Sequence, residues 1–124
     1  MSVHRLVNSF KDAGKGLKQV YKSEQNFRLQ IFVGILIVIA LLYFPVKAWE
    51  TILVILLIVL VLVMELLNTA LEYIADLLKP RLHHYVFAIK NIMAAAVLLS
   101  SLGALIIGLI IFLPHLVNLF TRYQ

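Results

Sequence analysis

The sequence predicts an all-α membrane protein, with an N-terminal amphipathic surface helix followed by three transmembrane helices. Of its 124 residues, 63% are hydrophobic and only 14% are charged, and three long apolar runs follow a basic segment. A soluble domain has about 25% charged residues. The low charged fraction and the mean hydropathy of +1.01 together exclude an ordinary soluble domain and a disordered chain. Because the chain has no cysteine, disulfides, thiol nucleophiles and zinc–thiolate sites are excluded as well.

The first predicted element is the surface helix, over residues 1–23. Its apolar residues, among them Leu6, Phe10 and Leu17, are interleaved with lysines at helical spacing. A helix with one basic and one apolar face lies in the plane of the membrane interface. We do not interpret this segment as a signal peptide, because the apolar run begins too late and no small-residue cleavage pattern follows it.

Three transmembrane helices are expected over residues 27–46, 50–78 and 86–114 of a single domain that covers residues 1–124. Pro45, Lys79-Pro80 and Pro114 are expected to end them in turn, because proline interrupts helical hydrogen bonding. About 20 residues are enough to cross the hydrocarbon core. The second helix is about 42 Å long, so one end of it should project into the interface.

The distribution of basic residues predicts the orientation in the membrane. Nine of the eleven Lys and Arg residues lie before the first span or around the second loop, and only Lys47 and Arg122 lie on the other side. Positive charges accumulate on the cytoplasmic side. The N-terminus is therefore expected in the cytoplasm and the C-terminus outside. The net charge of +5 is then explained by an anionic membrane surface rather than by nucleic acid.

Glu65 is the first candidate functional residue. It follows Thr51 by 14 residues, which is about 21 Å along a helix and therefore still inside a hydrocarbon core of about 30 Å. A carboxyl group at that depth is costly unless it faces protein. Two readings stay open at this point: a functional acid, or a hydrogen bond that packs helices together.

Glu65 begins a polar stripe on the second span. At about 100° per residue, Asn68, Glu72 and Asp76 fall within about 80° of one another and of Glu65. Carboxylates so close together repel one another without a cation. A divalent metal with nucleotide phosphate, or a basic partner, would satisfy them.

Two other polar groups carry weaker signals. Glu24 and Arg28 have the i, i+4 spacing of a helical ion pair. Considered by themselves, they are better interpreted as such an ion pair than as functional residues. His83 and His84 are adjacent, so they would point apart on a helix. We therefore interpret them as polar residues of a loop rather than as metal ligands.

The segment from Glu65 to Asp76 reads E-L-L-N-T-A-L-E-Y-I-A-D and resembles the signature E-[LIV]-[LIV]-N-[ST]-A-[LI]-E-x-x-x-D. That signature is typical of the small prokaryotic diacylglycerol kinase family, which includes the undecaprenol kinases of Gram-positive bacteria. The resemblance covers nearly the whole chain, and its other parts are Ser9-Phe10-Lys11, Gly16-Leu17, Glu24-Gln25-Asn26-Phe27-Arg28, His83, and Ile89-Lys90 followed by Ala94–Leu98.

The resemblance implies a homotrimer in the bacterial cytoplasmic membrane, with composite active sites between protomers at the cytoplasmic interface. There, MgATP would phosphorylate a lipid hydroxyl, with Glu65 as the general base and with Mg²⁺ held by Glu24 and Glu72. Asn68 and Asp76 would orient this shell. The expected ATP-binding residues are Arg5, Glu24, Glu72, His83, Lys90 and Asn91, and the expected lipid-binding residues are Asn26, Arg28, Glu65 and Ala94.

Asn91 departs from the family pattern, which has Asp after the Lys. Asn keeps the shape of Asp and loses its charge, so the alternative is a catalytically impaired family member or a non-enzymatic membrane protein. An ion or solute carrier is a weaker third class, because no acid or cation continues through the outer leaflet. The sequence does not separate diacylglycerol from undecaprenol, although the Glu24–Arg28 segment leans toward the undecaprenol-type branch.

Overall fold

The computed structural model describes residues 2–122 and consists of four α-helices, with no strand in that range. The helices are α1 (Val3–Ser23), α2 (Gln25–Tyr43), α3 (Ala48–Leu78) and α4 (His83–Arg122). Helices α2, α3 and α4 are each long and apolar enough to cross a membrane. The predicted all-α architecture, with one N-terminal helix before three apolar ones, is confirmed.

Helix α1 is amphipathic and lies largely exposed. The hydroxyl of Ser2 accepts the backbone N–H of Arg5 at 3.2 Å and caps the start of the helix. Val20, near the other end, is its one buried residue. The Gln19 side chain also donates to the Tyr73 hydroxyl at 3.3 Å. This hydrogen bond connects the end of α1 to the C-terminal part of α3.

A single extended residue, Glu24, separates α1 from α2. The Arg28 guanidinium donates to the carbonyl oxygens of Tyr21 at 2.8 Å and Lys22 at 3.0 Å. The reading of Glu24 and Arg28 as an ion pair is therefore wrong for the described chain. The helix break leaves the last carbonyls of α1 without intrahelical partners. Arg28 donates to these carbonyls and does not pair with the Glu24 carboxylate.

Helices α2 and α3 run antiparallel and approach closely at Gly34. A Cβ atom at this position would lie 3.2 Å from Cγ2 of Ile58. Helix α2 ends at Tyr43, before the expected boundary, and Pro45 stands two residues beyond its end. Helix α3 then begins at Ala48, where the Glu50 carboxylate accepts the backbone N–H of Lys47 at 3.2 Å.

Helix α3 ends at Leu78, immediately before Lys79-Pro80, and α4 begins at His83. The expected end of the last helix at Pro114 is not observed, because α4 continues through this proline to Arg122. Apolar helices tolerate proline where neighbouring structure supports the backbone. Here the ring of Phe44 lies 6.2 Å from that of Phe112 and 5.8 Å from that of His115, on either side of Pro114.

The packing places α3 at the centre of the protein. It contacts α4 along much of its length and α2 over a shorter stretch. Most large apolar side chains are exposed in the single chain, as expected where lipid or further protein covers them. The few buried side chains are Val20, Phe27, Val54, Glu65, Thr69, Ala75, Val86 and Ile111.

Candidate active site

Glu65 is the centre of the candidate site, and it is one of the most deeply buried side chains of residues 2–122. Only 2% of its surface is exposed, although most side chains around the helices face outward. The Gln30 side chain, on α2, donates from Nε2 to Glu65 Oε2 at 3.4 Å. One turn further along α3, the Thr69 hydroxyl donates to the Glu65 carbonyl at 2.9 Å. The carboxylate therefore faces protein rather than lipid, as its cost in hydrocarbon requires.

Two more carboxylates face the same region. Glu24, at the junction of α1 and α2, and Glu72, two turns along α3, both lie close enough to Glu65 for their charges to repel it. Both are half-buried. The Asn68 amide donates to Glu72 Oε1 at 3.3 Å and restricts the orientation of that carboxylate. The single chain thus brings together the predicted base, the two predicted metal ligands and one predicted supporting residue.

The donor set is compatible with Mg²⁺. Mg²⁺ is usually held by one or two carboxylates together with waters and substrate phosphates, rather than by a complete cage of protein ligands. Within residues 2–122, no three Asp, Glu or His side chains gather closely enough to hold a metal on their own. Carboxylates such as those of Glu24 and Glu72 are the kind of donor that would fit such an ion.

Asp76 and Lys90 connect the C-terminal end of α3 to the N-terminal part of α4. The Lys90 ammonium lies 2.9 Å from Asp76 Oδ1, and both side chains remain partly exposed. An ammonium group has three donors, so Lys90 can keep this contact and still reach a phosphate. Asn91, the next residue, is exposed.

A family model described as prokaryotic diacylglycerol kinase matches residues 11–112 of the chain. The chain belongs to the prokaryotic diacylglycerol kinase family. The matched segment contains Glu24, Glu65, Glu72 and Lys90, which are the residues that the site brings together or places beside it.

Curated relatives of this diacylglycerol kinase family member carry two names. A diacylglycerol kinase of Synechocystis is 35% identical over 92% of this chain and 66% of its own length. An undecaprenol kinase of Bacillus subtilis is 33% identical over 92% of this chain and 93% of its own length. A diacylglycerol kinase of Escherichia coli is 28% identical over 90% of this chain and 91% of its own length. The chain is therefore a membrane protein of the lipid kinase class.

Several other predicted site residues are exposed in the single chain. Arg5 is exposed in the first turn of α1, about 22 Å along the helix from Val20. His83 begins α4, and its ring packs edge-on against Phe87 at 4.8 Å. Asn26 and Ala94 are both exposed.

Gln30 is the site residue that the sequence reasoning missed. It follows the buried Phe27 by three residues and precedes the buried Gly34 by four, so the three share one face of α2. The sequence signal that could have identified Gln30 is its position as a lone amide between Leu29 and Ile31, in an otherwise apolar run. Such an amide is costly against lipid unless a partner satisfies it, and Glu65 is that partner.

Proposed function

We propose that this protein transfers the γ-phosphoryl group of ATP to the hydroxyl of a membrane lipid alcohol, at the cytoplasmic interface of the bilayer. The observation that carries the proposal is the burial of Glu65 within the membrane-spanning part of α3, with Glu24 and Glu72 close by. A lipid hydroxyl stays near the depth of its own headgroup, so its base has to be at that depth as well.

The chemistry is a direct displacement. The lipid oxygen attacks the γ-phosphorus, the bond to the ADP oxygen breaks, and Glu65 takes the hydroxyl proton. Phosphoryl transfer depends on positioning and charge neutralisation more than on covalent catalysis. Glu24 and Glu72 would hold Mg²⁺, which neutralises the phosphate charge when bound. Asn68 orients Glu72 through the hydrogen bond described above.

The remaining residues surround the two substrates. Lys90 and Asn91 face ATP in this proposal, and Asp76 orients Lys90 through their ion pair. Arg5 and His83 complete the nucleotide site, while the lipid contacts are made by Asn26, Arg28 and Ala94. Only Nη1 of Arg28 donates to the carbonyls that end α1, so the other N–H donors of its guanidinium can contact a lipid headgroup.

We further propose a homotrimer with sites shared between protomers, in the bacterial cytoplasmic membrane with the N-terminus in the cytoplasm. The exposed apolar surface of the helices supports this arrangement. Co-expression of R5A and E65Q chains tests it. Mixed assemblies should recover part of the activity that each variant lacks, whereas sites confined to one chain would give no recovery.

The lipid is either diacylglycerol or undecaprenol, and relatives with either name have similar identity to this chain. The test is a radiolabelled ATP assay with purified protein in mixed micelles, with the two alcohols side by side. We expect labelled phosphatidic acid, labelled undecaprenyl phosphate or both, in the presence of Mg²⁺. Label in neither lipid would refute the proposed function.

A further inference from the structure

Gln30 has no assigned part in this site, although its amide contacts the residue at the centre. Its Nε2 lies 3.4 Å from Glu65 Oε2, and the side chains of residues 2–122 provide no other hydrogen bond to that carboxylate. An ionised carboxylate offers only acceptors, so the amide has to present its nitrogen to Glu65. The orientation of Gln30 is therefore set by the acid.

The other end of the same amide lacks a partner. Gln30 Oε1 is buried and accepts no hydrogen bond within the described chain. Buried amides that serve packing alone are normally bonded through both polar atoms. The one side-chain hydrogen bond that Gln30 makes among residues 2–122 is the bond to Glu65. We therefore attribute the presence of a polar residue at this apolar position to its contact with Glu65.

The surroundings of Gln30 are almost entirely apolar. The residue lies at an apolar groove of about 430 Å³ between α2, α3 and α4, and Ser101 is the other polar side chain among its lining residues. A hydrogen bond to a charged group is strong in such surroundings. One oxygen of Glu65 is consequently held, while the other stays available.

We propose that Gln30 is a positioning residue, which holds Oε2 of Glu65 so that the second carboxylate oxygen faces the lipid hydroxyl. The inference rests on the proposed kinase function, in which Glu65 takes the proton. The amide donates a hydrogen bond and has no basic atom, so it does not compete with Glu65 for that proton. Its contribution to the rate comes through the orientation of the carboxylate.

The variant Gln30→Met tests this role, because methionine keeps the length of the side chain and removes the donor. We expect kcat to fall about 10- to 100-fold, the effect of losing one hydrogen bond to a charged group, with KM for ATP unchanged. Asn118→Leu is the matched control, since it removes an exposed amide near the far end of α4. This control should keep the kcat of the unaltered chain.

An infrared spectrum supplies a readout that does not depend on turnover. The carboxylate stretch of Glu65, isolated by subtracting the spectrum of E65Q, should shift in Gln30→Met because the hydrogen bond is lost. A Gln30 that does not donate to the Glu65 carboxylate in the active protein would leave this band in place. If Gln30→Met fails to fold, Gln30→Asn keeps the amide but withdraws it from Glu65, and we expect the same loss of kcat and the same band shift.

The outcomes separate the inference from the function on which it rests. A kcat within about twofold of the unaltered chain, or an unmoved carboxylate band in a folded variant, would overturn the role of Gln30. Absence of lipid phosphorylation by the unaltered chain would instead refute the proposed function.

Discussion

Replacement of Gly34 by alanine should reduce turnover without unfolding the protein. A Cβ at this position would lie 3.2 Å from Ile58 Cγ2, whereas carbon atoms pack best at about 3.5–4.0 Å. Because Ile is β-branched and has one preferred rotamer in a helix, its methyl group cannot easily rotate away. Helix α2 would therefore have to move outward by about 0.3–0.8 Å.

This displacement acts directly on the site, because Gln30 lies one turn from Gly34 on the same face of α2. The Gln30–Glu65 distance is already 3.4 Å, so the same displacement would lengthen it to about 3.7–4.2 Å, beyond hydrogen-bond range. Loss of a hydrogen bond to a charged group costs about 1.5–3 kcal/mol, and we expect kcat to fall by about tenfold to a hundredfold.

The assay for Gly34→Ala is steady-state lipid phosphorylation, measured beside thermal unfolding in the same detergent. Gly103→Ala is the control, since a Cβ at Gly103 meets no atom within 4 Å in the chain. Alanine also favours helix by about 1 kcal/mol over glycine in water, so the melting temperature should not fall greatly. Full kcat in Gly34→Ala would refute the idea that the close approach of α2 to α3 positions the base.

Two further predictions concern the phosphate side of the site. Asn68→Leu removes the donor that orients Glu72. When the rate is measured against Mg²⁺ concentration, we expect the half-saturating concentration to rise about tenfold or more. An unchanged half-saturating concentration would show that Asn68 has no part in metal binding. Asn91→Asp should change kcat by less than about threefold, because asparagine keeps the shape and hydrogen-bonding capacity of the aspartate that is typical of the family at this position. A large gain in rate would instead show that the natural residue impairs the enzyme.

The sequence predicted the fold class and the main polar stripe because their signals are local. Apolar runs of about 20 residues are long enough to cross a membrane, and Lys79-Pro80 ends α3 where the sequence indicated. The 3.6-residue period likewise put Asn68 and Glu72 on one face, and the structure joins them by a hydrogen bond.

The contacts that depend on packing could not be predicted in the same way. Arg28 was expected to pair with Glu24, and it satisfies the carbonyls of Tyr21 and Lys22 because α1 breaks at Glu24. Pro114 was expected to end the third span, and α4 continues through it to Arg122. Gln30 was overlooked because its importance comes from a partner 35 positions away in sequence.

The central claim is that Glu65 takes the proton from the lipid hydroxyl, and the variant Glu65→Gln tests it most directly. The amide is isosteric with the carboxylate but cannot accept a proton. In a single-turnover assay with radiolabelled ATP, we expect the rate of lipid phosphorylation to fall about 10²- to 10⁴-fold, the usual contribution of a general base. Binding of MgATP and of the lipid, measured separately, should persist. A Glu65→Gln protein that phosphorylates lipid at the rate of the unaltered chain would contradict the claim.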